Sequence, residues 1–226
     1  MNKWGIAALV AVGLSLSGLE ARADDSPLGL SVALERVGGL SYGSGRVDAA
    51  TASFGATAFS IAGAAIDPID LPRAAADAIL PSGVTLGGAL GYSHAELAIS
   101  PDGGQSGTLD GEVWLLSPRV GYRARMSPLI DLWPRGGLTF ARAAYSSTSS
   151  QGGSNGTDTL FYTAISLDLV AVVRVTQSFN VLAGFAYDHV VAGSGSQTYN
   201  GMSTDIKAGG QFFAGSLWFG IGGYVL

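Results

Sequence analysis

The stretch FYTAISLDLVAVV, Phe161 to Val173, decides how the chain is read. Its odd positions are Phe161, Thr163, Ile165, Leu167, Leu169, Ala171 and Val173, and its even positions are Tyr162, Ala164, Ser166, Asp168, Val170 and Val172. A mostly greasy set thus alternates with a smaller, more polar one, and that period of two belongs to a strand with two different faces. It is also the longest apolar run after the first twenty or so residues, and Asp168 cuts it well short of the roughly 18–20 uncharged residues a membrane helix needs. Helical spans are excluded, and a strand remains.

Working outward, the same period recurs. Val84 to Tyr92 sets Val84, Leu86, Leu90 and Tyr92 against Thr85, Gly87, Ala89 and Gly91. Trp114 to Tyr122 sets Trp114, Leu116, Pro118, Val120 and Tyr122 against Leu115, Ser117, Arg119 and Gly121, and Leu132 to Phe140 and Phe179 to Tyr187 repeat the division. With strands expected at Leu28 to Tyr42, Ala52 to Ile61 and Gln211 to Leu226, the chain reads as eight strands. Short links at Pro81–Gly83, Ala124–Ile130 and Thr176–Ser178 alternate with long Gly/Ser-rich stretches at Gly43–Thr51, Pro101–Thr108, Ser146–Asp158 and Ala192–Thr204. Long connections at one end only are the mark of an up-and-down barrel in an outer membrane, with short periplasmic turns and long outer loops. Residues 66–80 stay open. Asp70 before Pro72, followed by Arg73 to Ala78, reads as an N-capped short helix or as the lower half of the second strand.

Composition agrees. The 226 residues hold 12 Lys and Arg against 17 Asp and Glu, a net charge of -5, which with no basic cluster argues against nucleic acid as a partner. There is no Cys, so disulfides, thiolate metal sites and thiol nucleophiles are excluded. Met1 to Ala23 has the form of a signal peptide: Lys3 at the start, an apolar run from Trp4 to Leu19, and Ala21-Arg22-Ala23 as a small-residue cleavage site. The mature domain is then 24–226, and it is exported. Spacing of the aromatics fits a membrane slab. Trp114 and Tyr122, Leu132 and Phe140, and Phe179 and Tyr187 lie eight residues apart on the greasy face, which at about 3.3 Å rise and 40° tilt spans roughly 20 Å.

With its leader, eight alternating strands, long outer loops and an aromatic last strand ending WFGIGGYVL, Trp218 to Leu226, the chain resembles the small outer-membrane β-barrel proteins, the OmpA-like and OmpX-like class. The resemblance covers the whole mature chain and is one of architecture. It implies an all-β, eight-stranded antiparallel up-and-down transmembrane β-barrel in the outer membrane, surrounded by outer-membrane lipids. It also implies insertion by the barrel assembly machinery, which reads the C-terminal strand; Tyr224 matches the expected aromatic, whereas Leu226 stands where the class ends in another. The periplasmic cell-wall-binding domain of longer members is not expected.

The small face carries one pointed group of charges. Arg119 and Arg135, equidistant from position 127 at the centre of a short hairpin, are expected to oppose each other across adjacent strands. Asp168 lies at the same height on the next strand, and Glu35 of the first strand approaches across the barrel. Unpaired, such charges would each cost several kcal/mol in a narrow dry interior. Arg36 is awkward: strict alternation points it at lipid if Glu35 faces in, so Gly38-Gly39 is read as a bulge or Arg36 as a rim residue.

Barrel enzymes need a Ser or Asp activated by His. His94 and His189 are the only histidines, and their neighbours Ser93 and Asp188 fall on the opposite strand face. No catalytic, cofactor or metal residue is therefore expected. The reading is a non-enzymatic outer-membrane barrel, porin-like in architecture, with a structural or surface-interaction role, extracellular ligands meeting its long loops, and at most weak small-solute permeability. Its rivals are a barrel enzyme acting on lipid and a secreted soluble ligand-binding barrel.

Overall fold

The computed structural model describes residues 29–47, 52–61, 71–99, 107–149, 156–199, 202–206 and 212–224. The proposed leader, 1–23, lies outside them, as does Leu226. Among the described residues all the secondary structure is strand: β1 (Gly29–Val47), β2 (Ala52–Ile61), β3 (Arg73–Ile79), β4 (Val84–Ile99), β5 (Gly107–Tyr122), β6 (Ala124–Arg125), β7 (Ile130–Ser149), β8 (Gly156–Arg174), β9 (Asn180–Tyr199), β10 (Met202–Ile206) and β11 (Phe212–Tyr224).

These eleven segments make eight staves. β2 and β3 are the upper and lower parts of one, because β2 runs along Gly38–Val47 of β1 while β3 runs along Gly29–Glu35. β5 and β6 both lie on β7, and β10 and β11 both lie on β9. Every pairing is antiparallel, and β11 returns to β1, with Ser31 opposite Tyr224 and Leu40 opposite Leu217. Closure leaves the sheet without a first and last edge, which is what a spanning sheet requires where no water can satisfy backbone groups.

Burial is inverted relative to a soluble sandwich. Along β5, Val113, Leu115, Ser117 and Arg119 are buried while Trp114, Leu116, Pro118 and Val120 are exposed. The small and polar face is inside, and the greasy face is bare. Leu90, Tyr92, Trp114, Leu116, Leu167, Phe185 and Leu217 are each about half exposed or more, in a band around the barrel. A second sheet would have covered such a face, and an uncovered apolar surface of this extent marks a partner that is itself apolar.

One open reading is resolved and one expectation changes. Of the 66–80 segment, residues 73–79 form strand β3, so the helical alternative does not hold there; residues 66–70 lie outside the described residues. Although alanine favours helix, closure needs a stave between β1 and β4, and β3 supplies it with Arg73, Ala75 and Asp77 inward and Ala74 and Ala76 outward.

The described parts of the expected long outer loops are also strand. β1 runs on to Val47, β7 to Ser149, and β8 starts at Gly156; β9 reaches Tyr199 and continues through β10. β7 and β9 hold 20 residues each, about 50 Å of height at the rise and tilt used above, twice the roughly 25 Å apolar band. Their upper parts are rich in Gly, Ser and Thr because both faces there meet water, and that composition imitates loop.

Candidate functional site in the barrel interior

The interior holds a belt of eight ionisable side chains. Four are arginines, Arg36, Arg73, Arg119 and Arg135, and four are carboxylates, Glu35, Asp77, Asp168 and Asp188, so the belt is electrically neutral. Arg119 donates from Nη1 and Nη2 to the two Glu35 oxygens at 2.7 and 2.9 Å, and from Nε and Nη2 to Asp77 at 2.9 and 2.5 Å. Arg135 donates to Glu35 Oε1 at 2.6 Å and to Asp168 at 3.3 Å. Arg36 links Asp168 at 3.3 Å to Asp188 at 3.2 Å. Arg73, opposite Glu35 on β3, interacts with Arg36, Asp188, Asp168 and Glu35. Forked guanidiniums between shared carboxylates give each charge a partner in a medium where an orphan would cost several kcal/mol.

The four residues singled out by sequence meet here, with one change of register. Arg119 faces Gly137 and Arg135 faces Gly121, so the arginines are offset by two positions and do not oppose each other. The reason is the turn. The Met126 and Ser127 N–H groups both bond the Ile130 carbonyl, and the Ser127 hydroxyl accepts from the Leu129 and Ile130 N–H groups, which centres the hairpin on residue 128, one beyond the expected 127. The offset lets Glu35 fit between the two arginines. Asp168 does lie directly opposite Arg135, but it contacts Arg36 and not Arg119.

Sequence alone does not place Arg36, Arg73, Asp77 and Asp188 in the belt. Arg36 enters through a bulge: its φ is 54°, and β1 spends four residues from Leu34 to Gly38 while β11 spends two from Ile221 to Phe219. That left-handed residue turns two consecutive side chains inward. Asp77 is hidden in the ambiguous 66–80 segment, and Asp188 stands out in sequence only as a neighbour of His189. Charge counting on the small face would flag the gap, since two arginines and two acids leave nothing for Arg36.

Apolar layers close the belt on both sides. Below it lie Trp133, Val170, Val172, Leu182 and Trp218, with the Arg135 guanidinium 4.8 Å from the Trp133 ring centroid and 5.7 Å from that of Trp218. Above it Tyr162, Ala164, Val190 and Ala214 form one cluster, and Leu71, Val113, Leu115 and Ala143 another. Ser117, Thr139, Ser166 and Asp188 form a hydrogen-bonded chain in the same interior. Val170, Ala164 and Thr139 are fully buried, in keeping with the side-chain-filled interior expected for eight strands.

No family model matches the sequence, and no curated protein matches it. Solved structures do. A major outer membrane protein from Thermus thermophilus superposes with a TM-score of 0.52 at 11% identity, over 88% of this chain and 100% of the other. The fold is that of the small outer-membrane β-barrels. Neisserial surface protein A matches over 88% of this chain and 97% of its own at 13% identity and a TM-score of 0.48. Ail, the attachment invasion locus protein of Yersinia pestis, matches over 87% and 97% at 11% identity and a TM-score of 0.44.

On the outside of this outer-membrane-type barrel the two histidines sit at the upper margin of the greasy band. His94 faces Asp110 at 3.6 Å on the exposed surface, and His189 stacks against Tyr187 with ring centroids 6.5 Å apart. His94 thus meets an acid from another strand, β5, on the exposed outer surface, and His189 meets a phenol ring of its own strand. At the lower mouth, Asp131 is fully buried and binds both Arg123 and Arg174, the latter at 3.0 Å. Arg123 also lies over the Tyr224 ring at 4.3 Å, tying the last strand to the fourth stave.

Proposed function

We propose that the mature chain resides in the outer membrane as a non-enzymatic barrel with a structural or surface-interaction role and at most weak permeability to small solutes. The observation that carries this reading is the pairing of an uncovered apolar band outside with a packed, charge-neutral interior. Such a body is stable only where lipid surrounds it, and its bore has no room for a porin-sized solute path. The staves projecting beyond the band would stand in the external medium, where extracellular ligands would meet them. Outer-membrane lipids and the assembly machinery that reads the C-terminal strand are its further partners in this reading. A second reading, a barrel enzyme, would rest on the exposed His94–Asp110 pair, in which a histidine meets an acid from another strand.

Density-gradient separation of envelopes tests the proposal. The protein should band with outer membrane, resist carbonate extraction and migrate faster on gels when unheated. Recovery as a soluble periplasmic or secreted species would overturn it.

A further inference from the structure

Arg142 stands on the greasy outer face of β7, two residues above Phe140, and is exposed. The other arginines whose side chains are described lie in the belt or at the lower mouth. Its height is fixed by the ladders. Trp114 of β5 is directly opposite it on one side and Phe161 of β8 on the other, and both rings are about half exposed at the upper end of the apolar band. A guanidinium is thus set into a row of aromatics, at the level where an outer-membrane barrel meets the interface.

The surroundings of Arg142 leave its charge without a counter-ion. Its diagonal neighbours on that face are Glu112 and Leu116 in β5 and Thr159 and Thr163 in β8, of which only Glu112 is charged. The Glu112 carboxylate turns instead to the Trp114 indole and accepts from Nε1 at 2.7 Å. Among the described residues no carboxylate pairs with Arg142, and its contact is the Phe161 ring, whose centroid lies 5.8 Å from the guanidinium carbon. A ring face attracts the cation but supplies no oxygen acceptors for its five N–H donors. By contrast, Arg36, Arg119 and Arg135 each hold two carboxylates.

We infer that Arg142 binds the phosphate of an anionic lipid in the outer leaflet. The inference rests on the outer-membrane reading above: at this height the medium beside the wall is the headgroup layer, and phosphate oxygens are the anionic acceptors it offers. The guanidinium fork donates to two of those oxygens, while the Phe140 ring below lies against the chains. A cation near a lipid surface gives about five-fold in affinity for an anionic headgroup, the equivalent of about 1 kcal/mol.

Trp114 is a built-in reporter for the test, because it lies beside Arg142 on the outer face whereas Trp133 and Trp218 are buried in the interior. The full barrel is reconstituted in phosphatidylcholine vesicles that carry a minor fraction of either phosphatidic acid or phosphatidylcholine brominated on its chains. Quenching of tryptophan emission then gives the relative affinity of each lipid for the wall at Trp114. Phosphatidic acid should be favoured about five-fold, and Arg142→Gln should bring the two lipids level. Arg142 is exposed and bears no ion pair, so the variant is expected to fold, and unheated gel mobility checks that its barrel is closed; the comparison of the two lipids on the unaltered protein needs no variant. Equal quenching by the two lipids, or a preference that survives Arg142→Gln, would overturn the inference. So would loss of the preference on adding inorganic phosphate at the concentration of the phosphatidic acid, which would assign the arginine to free anions. Equal quenching sinks this inference alone, whereas a Trp114 that neither brominated lipid quenches sinks the membrane reading and this inference together.

Discussion

Glu35 and Arg36 are consecutive along β1, yet both are buried in the interior, at 2% and 4% exposure. Neighbours in a strand normally point to opposite sides of the sheet. The left-handed backbone at Arg36, φ 54°, breaks that rule at one point, and the result is that one strand supplies both an acceptor for Arg119 and Arg135 and a donor for Asp168 and Asp188. The belt is cross-linked through this bulge.

Arg36→Ala and Arg36→Gly separate the two things the residue does. Both lose the ion pairs to Asp168 and Asp188, a change of about 3–5 kcal/mol for a buried pair. Glycine alone relieves the left-handed backbone, worth about 1 kcal/mol. Urea unfolding of the refolded barrel should find Arg36→Gly more stable than Arg36→Ala by about that amount; the reverse order would mean that the backbone at 36 is not left-handed.

Contacts in the belt predict which pairs of substitutions couple. Arg135→Ala and Glu35→Ala, at a 2.6 Å hydrogen bond, should be non-additive by about 1–3 kcal/mol in a double-mutant cycle. Arg119 and Asp188 hold different partners, Glu35 and Asp77 for the arginine, Arg36 and Ser166 for the aspartate. Their effects should add within about 0.5 kcal/mol. A strong Arg119–Asp188 coupling would require a different arrangement of the belt.

Gly184 faces the indole of Trp218, and a Cβ there would overlap the ring atoms. Gly184→Ala should destabilise the barrel by about 1–3 kcal/mol through overpacking, with a shift in tryptophan emission as Trp218 moves. Unchanged stability would show that the indole does not lie against this strand.

The packed bore predicts no porin-like conductance. In planar bilayers the pure protein should give at most small, brief events, because an eight-stranded interior is filled by side chains, here with Trp133, Val170 and Trp218 clustered below the belt and Tyr162, Ala164 and Val190 above it. Large, stable openings would mean that the interior is not filled as described.

The period of two at Phe161–Val173 and Trp114–Tyr122 is enough to read the strands and their faces, because one face must suit an apolar surrounding and the other a narrow bore. The Arg135–Asp168 pairing is legible for the same reason. Register is harder, since centring the turn on residue 127 or on residue 128 differs by one position, and that one position moves the partner of Arg119 from Arg135 to Gly137. Arg36 defeats alternation because a bulge is a backbone event that its own residue type does not announce. The upper staves resemble loops in sequence because Gly and Ser suit loops and water-washed ladders alike, and β3 is ambiguous because alanine is small enough for either structure. Half the belt, Arg36, Arg73, Asp77 and Asp188, escapes the sequence for reasons of this kind.

The measurement that bears most directly on the account is lipid accessibility along β5. The chain has no cysteine, so a single nitroxide can be placed in turn through Val113→Cys, Trp114→Cys, Leu115→Cys, Leu116→Cys and Ser117→Cys without removing any native thiol. In reconstituted vesicles, collision with oxygen dissolved in the bilayer should peak at 114 and 116 and fall at 113, 115 and 117, while a water-soluble relaxant should reach none of the five strongly. A flat profile, peaks at the odd positions, or ready access for the water-soluble relaxant at 114 and 116 would contradict a lipid-facing barrel wall.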